Sequence, residues 1–184
     1  YYPSVEDALK NAPENSTVQL LDDVTENVVI DKPDITLDLN GHDINEPATV
    51  NITENAQGTN IVDSSEKSTG KIDAPIINRG QLTIDEGVEV KKIQNEGNLI
   101  NHGDITSVTF DGGSFEGTKP ENGLTGGVAQ VGDKIYADID SAIEAANKAE
   151  QDTTIKILED VELPEGTRPV GNENGNKISI DLNG

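Results

Sequence analysis

The chain has 184 residues, 33% of them hydrophobic and only 3% aromatic, with no Cys, Met or Trp and a net charge of −22 from 13 basic and 35 acidic side chains. That balance excludes nucleic acid as a partner, because such binding needs neutralised phosphates, and anionic membranes and polyanionic sugars are repelled as well. Without Cys there are no disulfides, zinc–thiolate sites or thiol catalysis, and no apolar run approaches the ~20 residues of a membrane helix, so direct membrane insertion is not expected.

With so few aromatics, burial has to come from many Ile, Val and Leu residues, which favours thin repeated layers over one large core. In chain order, a helix is predicted over 4–12. Ser4 is its N-cap with Asp7 three residues on, and Pro13 closes it. A strand follows at Thr17–Val24, and another at Ile35–Gly41. Here Asp38, Asn40 and Asp43 resemble in part a calcium loop, but the EF-hand pattern fails, since its first and twelfth positions hold Thr36 and Pro47. The simpler reading is a strand running into an Asn40-Gly41 turn. Calcium held by scattered Asp and Asn stays open as a cofactor; no other cofactor is expected.

From residue 77 a finer repeat emerges. Ile77-Asn78-Arg79-Gly80-Gln81-Leu82-Thr83 matches Ile100-Asn101-His102-Gly103-Asp104-Ile105-Thr106, 23 residues on. Leu82–Gly87 matches Val108–Gly113, 26 residues on, and Asn55 with Gly58 reads as a degenerate Asn-x-Gly copy. Apolar residues alternate, as in Leu82 and Ile84, so each unit reads as a half-buried strand closed by Asn, Asp or Gly. A 23–26-residue unit without room for a helix predicts one coil of parallel strands, roughly four coils between residues 31 and 125, within the range of repeat architectures. Asn78, Asn95 and Asn101, each in Asn-x-Gly, are candidate sugar contacts, but the favoured reading assigns Asn78, Gly80, Asn101 and Gly103 to turns, with Asn78 and Asn101 either in left-handed geometry or stacked as an amide ladder between coils.

Beyond the Gly-rich stretch Pro120–Gly132, read as a hinge, the opening of the chain recurs. Tyr2–Leu9 parallels Tyr136–Ile143, Thr17–Val24 parallels Thr154–Val161, and Ile35–Gly41 parallels Ile178–Gly184. The second copy has a longer loop around Pro164–Asn176. The predicted organisation is therefore a module over 1–127 and the start of a second over 128–184. The latter holds a helix at 139–149, capped by Asp138, and strands at 153–161 and 177–183. The first helix is expected to cover the open end of the coils, which would otherwise expose unpaired strand edges. No signal peptide opens the sequence, and both ends read as cuts through a longer protein.

No catalytic constellation stands out. His42 and His102 are the only histidines and lie in different units without an evident partner. Acidic pairs are too numerous in this chain to be informative about glycoside hydrolysis, and five aromatics offer little platform for sugar stacking.

The runs Tyr-x-x-Val/Ile-x-x-Ala-Leu/Ile, Thr-Val/Ile-x-Leu/Ile-Leu-x-Asp-Val and Ile-x-Leu/Ile-Asp-Leu-Asn-Gly, with the lead-in Val128–Tyr136, resemble the repeat unit of large cell-surface proteins of Gram-positive gut bacteria. These proteins belong to the pectate-lyase-like superfamily and are regarded as adhesin-like. The resemblance covers nearly the whole chain. It implies a mainly β fold, a short right-handed parallel β-helix with small capping helices, and an extracellular, cell-wall-associated location. The coil repeat, the duplicated module, the charge and the absence of a catalytic constellation lead to the expectation of a non-catalytic role as a stiff acidic spacer or binding scaffold, with neighbouring modules and a surface glycan or protein as partners. Lyases of this fold resemble one another in using calcium with an Arg or Lys base. This chain has only Arg79 and Arg168, in different modules and outside the lyase pattern. The competing expectation is a polysaccharide-binding or polysaccharide-degrading β-helix whose site lies largely outside this stretch. A fold by itself does not decide between them.

Overall fold

The computed structural model describes residues 1–163, 165–166 and 169–184; Pro164 and Arg168 lie outside them. Among the described residues the chain is mainly β, with two short helices and two sheets of mostly parallel strands.

Helix α1 (Val5–Asn11) starts where Ser4 Oγ accepts a hydrogen bond from the Asp7 amide at 3.0 Å, and stops at Ala12, held extended ahead of Pro13. The strands then alternate between the sheets. In the first sheet β1 (Thr17–Gln19), β3 (Thr36–Asp38), β5 (Thr59–Val62), β8 (Gln81–Ile84), β10 (Asn98–Asn101) and β12 (Ser114–Gly117) stack in parallel. In the second, β2 (Val28–Ile30), β4 (Val50–Ile52), β7 (Ile76–Asn78), β9 (Glu89–Asn95), β11 (Asp104–Phe110) and β13 (Leu124–Thr125) do the same, and β6 (Lys71–Ile72) pairs with β9.

Period-two patterning sends alternate residues inward, so register converts sequence into columns. Val18, Leu37, Ile61 and Ile84 form one column, continued by Asn101 and Gly117. Val28, Val50, Ile76, Ile93 and Val108 form another, and all of them are buried. A third runs Val24, Ile44, Ile72, Val90 and Ile105. Each fully buried aliphatic side chain stabilises by roughly 1.5–3 kcal/mol. The two phenylalanines, Phe110 and Phe115, meet edge-on inside with ring centroids 6.5 Å apart.

The layers do not keep the single spacing expected from the repeat. Val28, Val50 and Ile76 are spaced much as the repeat implies, but Ile93 follows Ile76, and Val108 follows Ile93, after distinctly shorter stretches of chain. Early turns carry extra corner residues. In the later ones the pieces β6 and β7, separated by Asp73-Ala74-Pro75, give way to the single longer strands β9 and β11. Five strands of the first sheet, β3 to β12, therefore fall within the stretch where about four coils are expected from sequence.

The Gly-rich stretch Pro120–Gly132, read as a hinge, holds both β13, paired with β11, and β14 (Ala129–Val131). With β15 (Lys134–Tyr136), β14 makes an antiparallel hairpin that links β12 to β16 (Thr153–Ile157), so the first sheet continues across it to β17 (Ile178–Asp181). Helix α2 (Ile139–Asn147), capped by Asp138 through the Ser141 amide at 2.7 Å, lays Ile139, Ala142 and Ala146 on Ala129 and Ile155.

Candidate functional site

The acidic corner after β3 is densely hydrogen-bonded. Asp38 ends its strand only 5% exposed. One carboxylate oxygen accepts from the Asn40 and Ser64 amides, each at 2.9 Å; the other accepts from Ser64 Oγ at 2.6 Å and Gln19 Nε2 at 2.9 Å. Burial works to raise its pKa, but the hydrogen bonds from Ser64, Gln19 and Asn40 outweigh it and hold the carboxyl below the ordinary range. Asp63 does the same in the following layer, accepting from the amides of Gly41, Ser65 and Gly70; burial works to raise its pKa, and the Ser65 side chain together with these amides outweighs it. Asp31 is lowered by donors from Thr53 and Asn55.

This arrangement bears directly on the calcium candidates. Calcium takes six to eight oxygen ligands, whereas the Asp38 oxygens already face four donors. Asn40, at φ 49°, turns its amide nitrogen onto the Leu20 carbonyl, 3.0 Å away. Asp43 accepts from the Lys71 amide at 3.0 Å. Among the described residues, no group of three or more His, Cys, Asp or Glu side chains is placed to hold a metal ion. The Asn40-Gly41 turn itself forms as read, both residues at positive φ.

The Asn-x-Gly corners differ from a left-handed turn. Asn78, Asn95 and Asn101 are fully buried ends of strands β7, β9 and β10, and none has positive φ. Their amides face inward and tie down the corner. The Asn78 side chain donates to Asn95 Oδ1 at 2.9 Å and to the Asn98 carbonyl at 3.0 Å, and accepts from the Gly80 amide. Asn95 donates to the carbonyls of Gly97 and Ser114 at 2.8 and 3.0 Å. Asn101 bonds Gly103 through both amide atoms and donates to Thr118 at 2.7 Å. The amide ladder therefore joins Asn78 to Asn95, while Asn101 belongs to the other sheet, paired with Ile84. Gly80 and Gly103 serve close approach: a Cβ on Gly103 would lie 2.5 Å from the Val88 carbonyl oxygen, and one on Gly80 would collide with the Ala56 and Thr53 carbonyls.

Sequence spacing gives His42 no partner, but stacking places Asp23 Oδ1 3.5 Å from its Nδ1, on an exposed edge. His102 is exposed elsewhere. Arg79 is engaged by Glu96 of the next turn at 2.7 Å. Two concavities stand out. A groove of about 600 Å³ lies beside β1 and under α1, lined in part by Tyr2, Ala8, Val18, Leu20 and Leu21. A second, of about 530 Å³, crosses the outer face of β9 and β11 between Lys91, Lys92, Thr106 and Asn122, with no aromatic in its lining. No helix is long and apolar enough to cross a membrane among the described residues.

Comparison with protein-family models, curated proteins and solved structures finds no match to this chain.

Proposed function

We propose that this chain is a right-handed parallel β-helix module that serves as a stiff, acidic spacer or binding scaffold in an extracellular bacterial surface protein, without catalytic activity. The observation that carries the reading is the duplicated pairing. β1 lies on β3 with Thr17, Val18 and Gln19 against Thr36, Leu37 and Asp38. β16 lies on β17 with Thr154, Ile155 and Lys156 against Ser179, Ile180 and Asp181, the same residues of the repeat in the same register. Alternate visits to two parallel sheets suit a coil, and parallel crossovers are right-handed in nearly all proteins. A hairpin that carries one unit into the next within a single sheet favours an extended rod over beads on a string. A charge of −22 keeps such a rod soluble and away from other anionic surfaces.

Small-angle scattering on the purified chain tests the rod. An elongated particle is expected, with strands stacked at about 4.8 Å per layer. A particle with the dimensions of a compact domain of the same length, or polysaccharide cleavage that one substitution abolishes, refutes the reading. A glycan-binding face is the second reading, and it draws on the groove beside Lys91 and Lys92. Saturable glycan binding lost in Lys91→Ala and Lys92→Ala would establish it.

A further inference from the structure

Because the second unit repeats the opening of the first, it displays what each edge of that opening accepts. The edge of β16 away from β17 is covered by β14, antiparallel, with Ala129, Gln130 and Val131 opposite Ile157, Lys156 and Ile155. The Leu158 amide closes this pairing by donating to the Val128 carbonyl at 2.8 Å. β1 occupies the place of β16 in the first unit and is the terminal strand of its sheet among the described residues; the 600 Å³ groove runs along that edge.

Residue by residue, the difference lies where the hairpin sits. Leu158 packs against the main core, while its counterpart Leu21 is 58% exposed. Ala142 of α2 is fully buried on Ala129, while its counterpart Ala8 in α1 is only partly buried. Ile135 of β15 is buried, and Tyr1 at the matching position stands fully in solvent. Helix α1 is itself in place, against β1 and β2. The opening therefore has its helix and its first strand pair, while Leu21, Ala8 and Tyr1 are more exposed than their counterparts beside the hairpin of the second unit.

We propose that the β1 edge and the adjoining groove are a docking site for a β-hairpin of the Val128–Tyr136 type. One strand of that hairpin adds antiparallel to β1, with a small residue seated against Ala8 and an aliphatic one covering Val18. Main-chain hydrogen bonds to the strand edge supply the affinity, and the shape between α1 and β1 selects the small-polar-aliphatic order of Ala129-Gln130-Val131. The inference rests on the observed pairing and is independent of the surface role proposed above; scattering and the following measurement fail separately.

The test adds a copy of Gly127–Lys134 directly before Tyr1 of the full chain, so that Tyr1 and Tyr2 take the places of Ile135 and Tyr136. Hydrogen exchange is then read at the Leu21 amide, the counterpart of Leu158. At least tenfold slower exchange there is expected, together with a higher urea midpoint. A second version carries Gln130→Pro in the added copy only, which breaks the strand pairing while the native chain stays intact; it is expected to return Leu21 to its original rate. Unchanged Leu21 exchange in the first version, or equal protection in both, overturns the proposal.

Discussion

Replacing Asn95 by Ala probes what holds the stacked turns in register. The Asn95 side chain is fully buried and makes three hydrogen bonds: to the Gly97 carbonyl at 2.8 Å, to the Ser114 carbonyl at 3.0 Å, and from Asn78 at 2.9 Å. At about 1 kcal/mol net for each bond, their loss amounts to about 3 kcal/mol. The void left between Asn78 and Phe110 in the same column raises this further. For a chain of this size the change corresponds to a fall in Tm of roughly 6–12 °C. Urea unfolding followed by circular dichroism measures it, and a double-mutant cycle with Asn78→Ala isolates the ladder bond, expected to couple the two sites by about 1 kcal/mol. An Asn95→Ala protein within about 0.5 kcal/mol of the parent, or a coupling of zero, would refute the view that buried amides rather than aliphatic packing fix these corners.

Four further outcomes follow from the same geometry. Thr59 Oγ1 is buried without a hydrogen-bond partner, in line with Leu82 of the next strand, so Thr59→Val should stabilise the chain by about 1 kcal/mol in denaturant titration. A Cβ at Gly97 would meet the Arg79 carbonyl carbon at 2.7 Å and collide with the Gly80 oxygen; Gly97→Ala should cost about 3 kcal/mol, since backbone on the preceding turn cannot step aside. Asp38 and Asp63 have folded pKa values below their unfolded ones, so their contribution is present above the ordinary carboxylate range and disappears as pH falls through the lower folded values. Stability should thus decline below about pH 4, and the double variant Asp38→Asn, Asp63→Asn should show a flatter acid limb in pH-dependent melts. Finally, with the Asp38 oxygens already satisfied by protein donors, excess chelator should leave the Tm unchanged; a drop of several degrees would mean that calcium sits at these corners after all.

Much of the local structure is legible in the sequence, because it follows from side-chain chemistry within a few residues. The Ser4 and Asp138 caps, the stop ahead of Pro13, the Asn40-Gly41 turn and the inward alternation of Leu82 and Ile84 are all of this kind. The stacking period is less legible. Asn78-Arg79-Gly80 and Asn101-His102-Gly103 look like successive copies of one unit, yet Asn78 stacks on Asn95, which precedes Asn101 in the chain, and Asn101 ends a strand of the opposite sheet. The motif reports corner chemistry, an inward amide gripping a close-packed glycine turn, and both sheets need such corners. Its recurrence therefore counts corners, not coils. The same limit applies to the acidic positions. Asp38 reads as a turn residue, but its role as a four-donor acceptor depends on Gln19 and Ser64, which only stacking brings beside it. His42 gains Asp23 in the same way.

What the repeat encodes is pairing, while burial depends on the layer that follows. Leu37 and Leu39 are fully buried because β5 lies on the far side of β3. Ile180 and Leu182 occupy the same positions of the repeat, in a strand paired to its predecessor in the same register, and they are 55% and 73% exposed. The hydrogen-bonded ladder forms with one neighbour, whereas the apolar columns that supply most of the stabilisation require two. Each layer is thus stabilised largely by the one laid on it, so an inner layer is held more firmly than one at either edge. In hydrogen exchange this predicts a gradient: slowest at the amides of β5 to β10, in the middle of the stack, and fastest at β1 and β17, even though β1 and β17 carry the same strand sequences as β16 and β3.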